Sequence, residues 1–172
     1  MDFSIEQTRA ILSRTPGVLR AMLAGLDDAW VVHNYGPDTF SAFDVVGHLI
    51  VGERTDWMAR LRIILEHGPD RPFDPFDRYA MYEQNRDRSM SDLLDEFERL
   101  RNANLVELDR LDLAEDQFGL EGAHPALGRV TLANLLATWA VHDLNHVAQI
   151  AKAMAYQYGP HVGLWRAYIS IL

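Results

Sequence analysis

Cysteine is absent from the 172 residues. That gap removes disulfides, Cys-type zinc sites and a thiol nucleophile together. Long apolar runs are missing too, the longest falling well short of the roughly 20 residues that span a bilayer. The N-terminus does not pair a basic region with an apolar core, so no secretory signal is expected, and a cytoplasmic location is the simplest expectation. Basic side chains are outnumbered 16 to 25, for a net charge of −9. Nucleic acid and anionic membrane both call for clustered Lys and Arg, so neither is an expected partner. No Gly-rich phosphate loop, nucleophile elbow or dinucleotide fingerprint appears. No segment shows the period-2 pattern of a strand, and no repeat or linker divides the chain.

What is present is a 48% hydrophobic, 24% charged composition, ordinary for one soluble domain with a real core. A single domain over 1–172 is expected. Ser4 and Gln7 read as a capping box opening a helix through Thr8, Ile11 and Leu12. Pro16 either kinks that helix or starts a second piece through Leu19, Met22 and Leu23, which Gly25 ends. Residues 33–40 are turn-rich. Ser41 with Asp44 opens a helix carrying Val45, His48, Leu49, Gly52, Asp56 and Ala59 on one stripe to about Glu66, and His67-Gly68-Pro69 stops it. A long connection with Phe73, Phe76, Tyr79 and Tyr82 follows, the length of a crossover or a flap. Ser89 or Ser91 caps a third helix with a stripe of Leu93, Leu94, Phe97, Leu100, Asn104, Leu108 and Leu111. A loop spans about Asp112 to Val130. Thr131 then caps a fourth helix reaching about Tyr158, and Trp165 to Leu172 forms a last turn or helix packed on the bundle. These spacings predict an all-α, four-helix bundle.

Two imidazoles, His142 and His146, sit four residues apart, about 40° around a helix and one turn along it, close enough to grip one ion. They fall on the core-facing seam Leu132, Leu135, Trp139, His142, His146, Gln149 and Ala153. An unpaired buried imidazole costs roughly 1–3 kcal/mol, so the pair needs an explanation. Hydrogen bonding to Asn145 or Thr138 is one. Metal ligation is the other, favoured by a third histidine, His48, on another apolar stripe. If the segments pack together, the three form a metal site with open positions, suited to Zn²⁺, Ni²⁺ or Fe²⁺. His33, His67, His124 and His161 lie in turn-like contexts and are expected at the surface or in loops. Asp143 does not make this an HExxH protease. It is one methylene short of that general base, and no Asp or Glu follows residue 147 to serve as a third ligand. Asp143 and Glu53 fall off the metal face. Trp139, one turn before His142, is expected to wall the pocket and touch substrate.

Several runs resemble one family. They are Arg14-Thr15-Pro16-Gly17-Val18-Leu19, Ser41 to Leu49, His124 to Leu132, the stretch Leu135 to Ile150 with Trp139, His142-Asp143 and His146, and the closing Trp165-Arg166-Ala167-Tyr168. On these the chain resembles the DinB superfamily of DinB/YfiT-like metalloenzymes. The resemblance implies a four-helix bundle of up-down-down-up topology, often a homodimer, to which the residues themselves add a short C-terminal helical tail. It also implies one divalent ion, commonly nickel or zinc, at the positions of His48, His142 and His146. Characterised relatives include thiol-dependent S-transferases and an isomerase using low-molecular-weight thiols, so an external low-molecular-weight thiol is an implied cosubstrate.

The expectation is a cytoplasmic metalloenzyme activating water or an external thiol against a small-molecule substrate, by hydrolase or S-transferase chemistry. No protein general base is identified. A non-catalytic metal- or ligand-binding module and a metal-free structural homodimer are the alternatives.

Overall fold

The computed structural model describes residues 1–172. Its helices are α1 (Ile5–Leu12), α2 (Thr15–Leu23), α3 (Asp28–Val31), α4 (Ala42–Thr55), α5 (Trp57–His67), α6 (Met81–Gln84), α7 (Met90–Arg110) and α8 (Leu132–Tyr158). A hairpin of β1 (Glu121–His124) and β2 (Gly128–Thr131) precedes α8.

The helix starts lie where cap chemistry puts them. Ser41, Ser89 and Thr131 each accept the backbone N–H three residues on, while Asp44, Asp92 and Asn134 answer to the cap's own N–H. At Ser4 only half of the predicted box forms. Its hydroxyl accepts from the Gln7 N–H but donates to Glu6. Pro16 starts a separate helix, its missing N–H falling in the first turn where none is needed.

Cross-helix partners fix the directions. Arg54 meets Glu96, Glu53 meets Arg101 and Arg62 meets Glu107, so α4–α5 runs parallel to α7. His48 faces His142 and His146 while Trp57 stacks on Trp139, so α8 runs antiparallel to α4–α5. Arg9 pairs with Asp109 and Arg20 with Asp95, so α1–α2 opposes α7. Phe3 and Ile11 border Ala137 and Leu144, and Trp30 packs on Tyr158, so α1–α3 runs with α8. The topology is up-down-down-up. Because α5 and α7 are parallel neighbours, segment 68–89 must travel back along the bundle, and the long connection is that crossover.

Four expectations are corrected. The helix predicted to run unbroken from Ser41 to Glu66 is interrupted at Asp56 (φ −112°, ψ −72°), which separates α4 from α5. The buried face of α7 is Leu93, Leu94, Phe97, Arg101, Leu105 and Leu108, with Leu100, Asn104 and Leu111 only half-buried. An arginine in the seam displaced the reading of the stripe. The segment read as a loop contains the β1–β2 hairpin, paired from Glu121↔Thr131 to His124↔Gly128. Only Gly122 of its residues is buried, so it carries no alternating apolar signal. The C-terminal tail is helical (Gly163–Tyr168) but does not pack on the bundle, since Leu164, Trp165 and Tyr168 are 96%, 73% and 85% exposed.

The core is two apolar clusters. One joins Leu19, Val45, Leu49, Phe97 and Ile150; the other joins Leu12, Leu61, Leu108, Leu136 and Trp139. Between them, on α4, α7 and α8, the buried residues turn polar: His48 and Glu53, then Arg101, then Asp143 and His146.

Candidate metal centre

His48 comes from the middle of α4, His142 and His146 from successive turns of α8. His48 and His146 are buried and His142 is half-buried. Nε2 of His142 lies 3.3 Å from Nε2 of His48 and 3.0 Å from Nε2 of His146. One ring nitrogen from each residue falls within 4.8 Å of the others. The structure thus brings the three predicted histidines to one point. Two nitrogens bound to one ion at about 2.1 Å, at roughly 90–109° to each other, lie about 3.0–3.4 Å apart, which matches both contacts.

The rings are neutral at ordinary pH. Burial, then the neighbouring His146, holds His48 down at about 4, with the Arg78 backbone offsetting a part. Burial, then His146 and His48, pushes His142 down to about 3. His146 is also lowered, mainly by burial. Its Nδ1–H donates to Gln149 Oε1 at 2.8 Å, which turns the Nε2 lone pair towards the other rings. A proton can bridge one such nitrogen pair. A cation can satisfy three converging lone pairs at once. Away from that point, Nδ1 of His142 is buried without a hydrogen-bond partner, while the His48 ring has the Arg78 backbone beside it.

Residues 11–150 match the family described as the DinB superfamily. The chain belongs to the DinB superfamily. Its fold is similar to that of YfiT from Bacillus subtilis, described as a probable metal-dependent hydrolase with an unusual four-helix bundle topology. The two share 21% identity over 88% of this chain and 86% of that one, with a TM-score of 0.74. No curated protein matches the chain by sequence.

Within this DinB bundle the three histidines stand between two cavities. The first, about 350 Å³, is walled by Trp57, Phe73, Phe76 and Leu135 beside His48 and His142. Trp57 meets His142 edge-on at 5.1 Å and Phe76 meets His48 at 5.3 Å. The tryptophan that walls this pocket is therefore Trp57. Trp139 lies one layer deeper, stacked on Trp57 at 5.7 Å, with its Nε1–H donating to Glu53. His124, expected at the surface or in a loop, is half-buried in β1 and lines the same cavity, its Nδ1 accepting the Ala126 and Leu127 N–H groups. His33, His67 and His161 are exposed as expected.

Asp143 and Glu53 do lie off the metal face, for a reason the spacing could not supply. Both are fully buried against Arg101, at 2.5 Å and 2.8 Å. Burial opposes the charge of Arg101, but the two carboxylates outweigh it and raise its pKa. With those lone pairs engaged, neither acid is free to serve the histidine cluster as a base. An arginine at a seam position between Phe97 and Leu105 was the visible signal of this network.

Proposed function

We propose that this DinB protein is a metal-dependent hydrolase in which His48, His142 and His146 hold one divalent ion, nickel or zinc, at the floor of the apolar cavity. The observation that carries this reading is the convergence of three neutral imidazoles at 3.0 and 3.3 Å with no carboxylate among them. Three neutral donors leave the ion's charge undiminished and some of its positions open, and such an ion supplies Lewis acidity and ionises a ligand near neutral pH. The chain's own part is to fix the donor geometry, exclude water with Trp57, Phe73 and Phe76, and seat a small-molecule substrate. The likeness to YfiT supports the fold; the donor set supports the chemistry.

A second reading, transfer to an external low-molecular-weight thiol, is favoured by one observation. No unengaged carboxylate stands beside the cluster, and a thiol bound to such an ion loses its proton without a protein base. With no cysteine in the chain, the thiol would come from solution, and the cytoplasm is the compartment rich in such thiols. We further propose a homodimer in which the exposed apolar tail around Trp165 is covered.

Metal analysis of untagged protein tests the reading first. Roughly one ion per chain is expected, with nickel or zinc at 100 times its dissociation constant adding about 2.7 kcal/mol of stability. His146→Ala should abolish both the ion and metal-dependent ester or amide hydrolysis. A chain that takes up no ion, with unfolding unchanged by nickel, zinc or chelator, overturns the proposal in favour of the metal-free structural alternative. Stoichiometric metal without turnover on hydrolysis or thiol-transfer substrates leaves the binding module.

A further inference from the structure

An acid-free wall is an exception in a protein of net charge −9. The second cavity, about 570 Å³, opens on the His146 side of the histidines and contains Arg78 and Lys152 but no Asp or Glu. Lys152 is the chain's only lysine. Neither cation has an ion-pair partner in the molecule, although ten of the other arginines do. Each is held on aromatic rings instead. The Arg78 guanidinium lies 5.4 Å from the Phe40 centroid and 5.1 Å from that of Tyr79, and the Lys152 ammonium lies 5.0 Å from that of Tyr35. Such stacking orients a cation while leaving its N–H groups unneutralised. The Asn145 and Gln149 amides line the same wall. Gln149 spends its oxygen on His146, so its NH₂ remains to donate.

Arg78 and His48 line both cavities. A ligand can therefore reach the histidines from the apolar side and the cation-rich side together. We propose that the second cavity binds an oxyanion, a carboxylate or phosphate carried by the substrate, with Arg78 as its bidentate partner and Lys152 as a second charge. The substrate is then a small anionic molecule with an apolar portion, its anion on the Arg78–Lys152 side and that portion against Trp57 and Phe76. The placement of the reacting group rests on the metalloenzyme reading. The oxyanion site does not.

Calorimetric titration of metal-free and nickel-loaded protein at low salt separates the two. Succinate or inorganic phosphate should bind the metal-free protein at least about tenfold more tightly than neutral succinamide, and binding should weaken as sodium chloride is raised. Whichever oxyanion binds more tightly names the group. Arg78→Gln and Lys152→Gln should each weaken that binding about fivefold or more and leave nickel content unchanged. Succinamide binding as well as succinate and phosphate, or both variants binding the oxyanion like the parent chain, overturns the proposal. Oxyanion binding in a chain that takes no metal would instead overturn the enzyme reading and leave this site standing.

Discussion

An imidazole in an unfolded chain titrates near 6.5. His48 and His142 are held at about 4 and about 3, first by burial and then by the neighbouring His146. Below 6.5 the unfolded chain takes up protons that the folded rings refuse. Depressed values of this kind contribute stability that is present above 6.5 and is lost as pH falls through the folded values. The metal-free protein should therefore lose stability between pH 6.5 and about 3, by on the order of 1 kcal/mol per pH unit for each ring still neutral. Urea titrations across that range read the slope. The double variant His48→Phe with His142→Phe should flatten it, and an unchanged slope would show that acid sensitivity comes from the carboxylates. The same neutrality makes the rings ready ligands, since no proton has to leave before a cation enters. At this scale the sequence was informative. The four-residue spacing of His142 and His146 and the apolar stripe of His48 marked out the three rings that the fold brings together. The swap of Trp57 for Trp139 as the pocket wall was not legible, because it depends on the interruption at Asp56 turning α5 relative to α4.

Among the elements, those with local signals were readable and those held by tertiary contacts were not. Ser41, Ser89 and Thr131 announced their helices through side chains that bond only three residues ahead. The hairpin has four-residue strands, paired mainly with each other, and Phe73 N–H tying the crossover to Ala123 O at 2.9 Å; nothing in Glu-Gly-Ala-His reports that distant partner. The crossover itself is seated by a missing side chain. A Cβ on Gly47 would collide with the Asn85 amide and lie 3.0 Å from the Met81 Cβ. Gly47→Ala should push α6 off α4, costing about 1–3 kcal/mol as an overpacked contact. Because the same crossover carries Phe76 and Arg78 to the histidines, the variant should also loosen the cavity while the metal ligands stay in place. Thermal unfolding and metal content measure these separately. A Tm equal to that of the parent would show that the crossover rests elsewhere.

Across the whole molecule, a polar slab divides the two apolar clusters and crosses α4, α7 and α8 at one level. Histidines form one end of this layer, and Arg101 with Glu53 and Asp143 forms the other. Arg101 also donates to Leu12 O at 2.9 Å and lies over Phe97 and Trp139, so one guanidinium touches all four long segments of the bundle. Asp143 neighbours His142 in the chain, so its bidentate bond to Arg101 sets the rotation of α8 that aims His142 and His146 at His48. Burying such a network is expensive in desolvation, and an apolar layer of the same volume would be no less stable. Its contribution is then to register rather than to stability, which separates two variants. Arg101→Met leaves two buried carboxylates without a cation and should cost about 3–5 kcal/mol. Arg101→Met combined with Glu53→Leu and Asp143→Leu removes every charge and should recover most of that loss. If the slab sets register, the triple variant folds with near-parent stability but binds nickel or zinc at least about tenfold more weakly, because α8 is free to turn. A triple variant with parent metal affinity would show that apolar packing alone aims the histidines.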